Sequence, residues 1–171
     1  MKNSSRAMAY IALVAAVYAT FTLSQYGIGF GPIQFRVAEG LNLLAFFNPI
    51  FIPAVTIGVF LTNIFSPNGV IDVIFGTLAT VISLLLIRLT KKTTNSLLLS
   101  AVWPVVINAA IIPLVILVPA GGLSAVTAEA YWPIFMSVGI GQVTVMAGGY
   151  IVFKYLILFQ KNFIEKLKDL K

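Results

Sequence analysis

Six stretches of this chain are apolar over lengths that suit a lipid bilayer, and that pattern restricts the fold more than any other feature. A hydrocarbon core about 30 Å thick takes about 20 apolar residues as a helix, with a range of about 17–25. The candidate spans are residues 7–23, 33–47, 50–65, 70–89, 97–118 and 130–158. The second and third are short and separated by Asn48-Pro49. One broken helix is the alternative there, but together they exceed a single crossing. The sixth is long enough to tilt or to project beyond the bilayer. Pro104 and Pro113 fall inside the fifth, where neighbouring helices satisfy the freed backbone groups. Charged residues make up 9% of the chain, against about 25% in a soluble domain. Too little polar surface remains for life in water. The expected fold is all-α, an integral membrane bundle of six transmembrane helices in a single domain over 1–171. A cleavable signal at the start would have a shorter apolar run ending in a small-residue site; here alanines run through the whole stretch.

Lysine and arginine set the orientation. Lys2 and Arg6 precede the first span, and Arg88, Lys91 and Lys92 follow the fourth. Lys154, Lys161, Lys166, Lys168 and Lys171 close the chain. Ten of the 11 basic residues thus share one face, expected to be cytoplasmic, with both termini on it. The outer loops are then 24–32, 66–69 and 119–128. The net charge of +6 reads as a topology signal and not as a nucleic-acid surface. The lysine-rich tail reads as an interfacial helix near anionic lipid. Cysteine and histidine are absent, which excludes disulfides, thiolate nucleophiles, histidine bases and Cys/His zinc sites. No metal site is expected.

Against this background the polar residues at membrane depth stand out. Arg36, Glu39 and Asn42 lie in the second span, after a loop rich in glycine and proline. Asn63 ends the third span and Asp72 opens the fourth. Asn108 is near the middle of the fifth; Glu129 and Trp132 open the sixth, with Gln142 midway along it. An ionisable group in hydrocarbon costs several kcal/mol by most estimates, so it faces a partner, water or a cavity. Nearly all of these fall in the expected outer half. Together they predict a pocket open outward and closed towards the cytoplasm. Each has a plainer reading too. Arg36 and Glu39 at i,i+3 are spaced to neutralise each other. Asp72 and Glu129 are placed as helix N-terminal charges, Asn108 and Gln142 as interhelical glue, Tyr131 and Trp132 as an interfacial belt.

The first span carries a different signal. Ala9, Ala12, Ala16 and Ala19 form a stripe of small residues on one helix face. Such a surface lets another helix approach closely, either within the bundle or from a partner.

The run 33–92 resembles the queuosine precursor transporter family (QueT). The matching elements are Gln34-Phe35-Arg36 with Glu39, then Thr62-Asn63, then Asp72 to Thr80 as DVIFGTLAT. These proteins are substrate-binding S components of energy-coupling factor (ECF) transporters. The resemblance implies capture of a 7-deazaguanine, such as queuine or its cyano or aminomethyl precursors, at the bacterial plasma membrane. It implies docking, through the alanine stripe, on an ECF transmembrane T component with two ATPase subunits. ATP would be used by those partners, since the chain has no G-x-x-x-x-G-K-[S/T] phosphate loop and no cofactor is expected in it. A 7-deazaguanine offers adjacent N–H donors, which Glu39 or Asp72 would accept in pairs. Asn108 or Gln142 would donate to its carbonyl, and Trp132 or Phe75 would stack on its ring.

Other functions remain compatible with the residues alone. One is an S component for another vitamin-like molecule. Another is an intramembrane enzyme with Glu39, Asp72 or Glu129 as nucleophile, although no local nucleophile–base pair accompanies them. A structural or channel subunit is the third.

Overall fold

The computed structural model describes residues 2–29 and 35–168. Ile33 and Gln34 of the expected second span, residues 30–32 of the expected first outer loop, and Lys171 lie outside the described residues. The helices are α1 (Lys2–Ser24), α2 (Tyr26–Gly29), α3 (Val37–Phe47), α4 (Phe51–Asn63), α5 (Asp72–Thr93), α6 (Leu97–Gly121), α7 (Ala128–Phe159) and α8 (Lys161–Lys168). No strand occurs among the described residues.

Four of these, α1, α5, α6 and α7, are long and apolar enough to cross a membrane. The second and third expected spans are present as α3 and α4, each shorter than a crossing. The break between them has a local cause. Asn48 is extended, at φ −147° and ψ 133°, the conformation favoured before proline. Its Oδ1 then accepts from Ile50 N at 3.0 Å and restarts the chain as α4. Pro104, Pro113 and Pro119 lie within a continuous α6. Ser96 caps that helix by accepting from Leu99 N at 3.2 Å, and Thr127 caps α7 by accepting from Ala130 N at 3.3 Å.

Bilayer-like surface surrounds the bundle. Large apolar side chains such as Phe21, Leu85, Leu89, Ile140 and Ile151 are exposed on its outside. Scattered over several helices, they form the surface expected against lipid tails. The chain is a membrane protein.

Helix α1 packs on α4, and α6 packs between α5 and α7. The α1 face that turns inward carries Ala15, Tyr18 and Thr22, all buried. At Gly58 of α4 a Cβ would come within 2.8 Å of the Tyr18 Cβ, so glycine is what lets the two helices meet. Ala9, Ala12 and Ala16 lie on the opposite, exposed face, with Ala19 half-buried. The first turns of α3 occupy the middle of the bundle and touch α1, α4, α5, α6 and α7. Below them, Phe46, Phe47 and Phe51 fill the core together with Phe153. The tail helix α8 folds back on this base: Ile164 and Leu167 are buried, and Asn48 Nδ2 donates to Lys168 O at 3.1 Å.

Candidate functional site

The first segment of α3 is a 3-10 helix over Val37–Leu43. With three residues per turn, side chains at i and i+3 eclipse. Glu39 and Asn42 are so placed, and Asn42 Nδ2 donates to Glu39 Oε2 at 2.6 Å. From α1, Tyr18 Oη donates to Glu39 Oε1 at 2.7 Å. Glu39 is 2% exposed and Asn42 fully buried. Because a carboxylate only accepts, the Asn42 amide must turn its NH2 towards Glu39. Its Oδ1 is left as an acceptor, and that atom has no hydrogen-bond partner among the described residues.

Arg36 stands just before this turn in extended backbone, at φ −106° and ψ 95°. It is therefore not on the helical face that an i,i+3 pairing with Glu39 assumes. Its ion pair runs to α5, where Nη2 lies 3.6 Å from Asp72 Oδ2. Arg36 Nε donates to Gly29 O at 2.9 Å and Nη1 to Asn63 Oδ1 at 3.2 Å. Asn63 in turn donates through Nδ2 to Asp72 O at 3.1 Å and to Thr77 Oγ1 at 3.4 Å. Ser66 Oγ donates to Asp72 Oδ2. Asp72 and Asn63 are fully buried and Arg36 is 5% exposed.

Asp72 opens a π-helical turn, Asp72–Gly76, at the start of α5. Such turns widen a helix locally and recur at functional sites. Gly76 is required by the same geometry: a Cβ there would overlap Asp72 Oδ1 and approach Asn63 Nδ2 at 3.0 Å. Glu39 N donates to Arg36 O at 2.9 Å. The two halves, Tyr18–Glu39–Asn42 and Arg36–Asn63–Asp72, are thus one cluster. It holds one ion pair, Arg36 with Asp72, and a second carboxylate, Glu39.

The cluster joins Arg36, Glu39, Asn42, Asn63 and Asp72. Asn108 on α6 and Gln142 on α7 are buried, and Gln142 Oε1 has no hydrogen-bond partner among the described residues. Phe75 is half-exposed and lines an apolar cavity of about 360 Å³ with Ile71, Ile111 and Val115. Glu129 is exposed. Trp132 is also exposed and packs edge-on against Tyr131 and Phe135, with ring centroids 5.5 and 5.3 Å away. Tyr131 donates to Ala110 O at 2.9 Å. Four cavities of about 350 to 520 Å³ are lined by residues outside the cluster. Tyr18, Ser66 and Gly76 belong to the cluster and are not marked as site residues by the sequence. A tyrosine on the face opposite the alanine stripe was the available signal for Tyr18; Ser66 reads simply as part of a turn.

Comparison with known proteins bears directly on this arrangement. Over 85 residues the chain is 46% identical to the "Queuosine precursor transporter QueT" of Lactococcus lactis subsp. cremoris (strain MG1363). That match takes in 48% of this chain and 50% of the relative, so it spans about half the length of each. No solved structure matches. A family model described as QueT transporter matches residues 8–157, most of the chain. On that match, the chain belongs to the QueT transporter family, a family of transporters and not of enzymes.

Proposed function

We propose that this chain is the substrate-binding S component of an ECF-type importer and that its cargo is a queuosine precursor, a 7-deazaguanine. The observation that carries the reading is the buried acceptor group formed by Glu39 with the unpaired Asn42 Oδ1. Each carboxylate oxygen has two lone pairs, so Glu39 retains acceptor capacity beyond Tyr18 and Asn42. A base edge with adjacent N–H donors fits such a group. The relative's name supports the cargo class. Asp72 Oδ2 is engaged by Arg36 and Ser66, and its buried Oδ1 has no hydrogen-bond partner among the described residues; Glu39 is placed first as the carboxylate that reads the base because the unpaired Asn42 Oδ1 stands beside it. Charge sharpens the choice of cargo. Two carboxylates against one guanidinium favour the amine-bearing members, queuine and the aminomethyl precursor, over the cyano one. Asn108 and Gln142 are kept as contacts to the carbonyl side. Glu129, Trp132 and Phe75 would have to turn inward to take part, and their exposure places them second.

In this reading the chain crosses the bacterial plasma membrane six times, α3 and α4 being the two short crossings, with both termini cytoplasmic. Single cysteines at Ser4, Asn95, Asn68 and Ser124 test this against a background without native cysteine. An impermeant thiol reagent on whole cells is expected to label Asn68 and Ser124 only. Labelling at Ser4 or Asn95 would reverse the orientation.

The T component and two ATPase subunits complete the importer. The exposed stripe of Ala9, Ala12 and Ala16, with Ala19 beside it, is the proposed docking face. Ala12→Trp or Ala16→Trp is expected to abolish uptake and leave substrate binding intact, since the added bulk lies opposite Tyr18. Loss of both together would make the stripe part of the internal packing.

The cargo itself is tested by mass spectrometry of small molecules released from the detergent-purified protein. A 7-deazaguanine is expected. Reproducible recovery of an unrelated vitamin would assign the chain to another substrate class.

A further inference from the structure

Where α5 turns into α6, at the end of the bundle that carries the basic residues, there is a cavity of about 520 Å³. Lys91, Lys154 and Lys168 line it, with Phe46, Tyr150 and Ile164 in its wall. No carboxylate does so among the described residues. Lys91 lies within repulsive reach of Lys168 and Arg88. Two of these lysines, Lys91 and Lys154, are held by neutral groups. Lys91 Nζ donates to Asn95 Oδ1 and sits 4.6 Å from the Phe46 ring centroid. Lys154 Nζ donates to Tyr150 Oη at 3.3 Å. Ser96 and Leu97, at the N-terminus of α6, complete the wall, and a helix N-terminus favours negative charge. A second cavity, about 350 Å³ and apolar, runs between α6 and α7 past Val102, Val143 and Ala147. The two share Leu98 and Tyr150.

We propose that these adjoining cavities bind one anionic phospholipid, its phosphate among Lys91, Lys154 and Lys168 and an acyl chain along the α6–α7 groove. The proposal is independent of the cargo assigned above. Three cations with no carboxylate among the described lining residues call for an anion. The apolar continuation distinguishes a lipid phosphate from a free one, because free phosphate has no use for a hydrocarbon groove. Leu98 and Val102 are exposed, so the groove is reachable sideways from the bilayer. Basic pockets between helices on the positively charged side are suited to lipid headgroups.

The test uses the full chain in detergent, titrated with phosphatidylglycerol, phosphatidylcholine and inorganic phosphate, with bound lipid counted by native mass spectrometry. Phosphatidylglycerol is expected to bind more tightly than phosphatidylcholine. At about fivefold per lysine, Lys91→Gln with Lys154→Gln is expected to weaken it about thirtyfold, while arginine at both positions retains it. Ala147→Trp, which fills the groove and leaves every charge in place, is expected to weaken the lipid as well. Melting temperatures of all variants separate loss of binding from loss of folding. Equal binding of the two lipids would overturn the proposal, as would full phosphatidylglycerol affinity in either the double lysine variant or Ala147→Trp. Ready displacement of the lipid by inorganic phosphate would also overturn it, by assigning the lysines to a free anion.

Discussion

Asp72→Asn is expected to lower the stability of the purified protein by about 3–5 kcal/mol, the usual consequence of removing one partner from a buried ion pair. Asp72 and Arg36 are 3.6 Å apart, and neither side chain is more than 5% exposed. Asparagine keeps an acceptor for Ser66 but removes the charge that the guanidinium meets at 3.6 Å. The measurement is thermal unfolding in detergent, compared with Arg36→Met and with the double variant Arg36→Met, Asp72→Leu. Replacing a buried pair with apolar groups of similar size is often close to neutral, so the double variant is expected to recover most of the loss. A double variant as unstable as either single one would show that the pair's hydrogen bonds to Asn63 and Ser66, and not its charges, hold this region. The same geometry makes Gly76→Ala disruptive, since its methyl group would overlap Asp72 Oδ1.

Glu39→Gln is expected to act on binding first. A glutamine amide cannot accept through both ends. One end would set an N–H against Asn42 Nδ2 or the Tyr18 hydroxyl, which now donate at 2.6 and 2.7 Å. A ligand N–H that loses its acceptor in a buried site costs about 1–3 kcal/mol, or roughly tenfold to over a hundredfold in affinity. Calorimetry with an aminomethyl 7-deazaguanine is the measurement, with the cyano compound as comparison. Glu39→Gln is expected to weaken the amine-bearing ligand more than the cyano one, because it also removes the charge in excess of Arg36. Unchanged affinity for both would remove Glu39 from recognition and return Asp72 to first place.

The cluster was half legible in advance. Arg36, Glu39 and Asn42 stand out because charged and amide groups are expensive at membrane depth, and that cost does not depend on how the helices pack. Asn63 and Asp72 stand out for the same reason. Their partners do depend on packing. The Arg36–Glu39 spacing suggests a pair on one α-helix, yet the chain enters a 3-10 turn after Arg36, so Glu39 meets Asn42 and Tyr18 instead. Glu129 and Trp132 carry the same polar signal as the cluster residues, but α7 turns them outward. Conversely, Gly76 is indistinguishable in sequence from any other glycine until a carboxylate is found against it.

What the sequence by itself determined is the class of solution: helices only, in a bilayer, with the basic residues at one end and few polar groups inside. Hydrophobicity and backbone satisfaction dictate that much from composition and segment length. Only the tertiary structure decided that α3 sits at the centre of the bundle, that Tyr18 reaches across from α1 to Glu39, and that α5 opens with a π turn to bring Asp72 towards Arg36. Those outcomes depend on close approach at Gly58 and Gly76 and on which helix faces which, and neither periodicity nor composition encodes a distance between two helices.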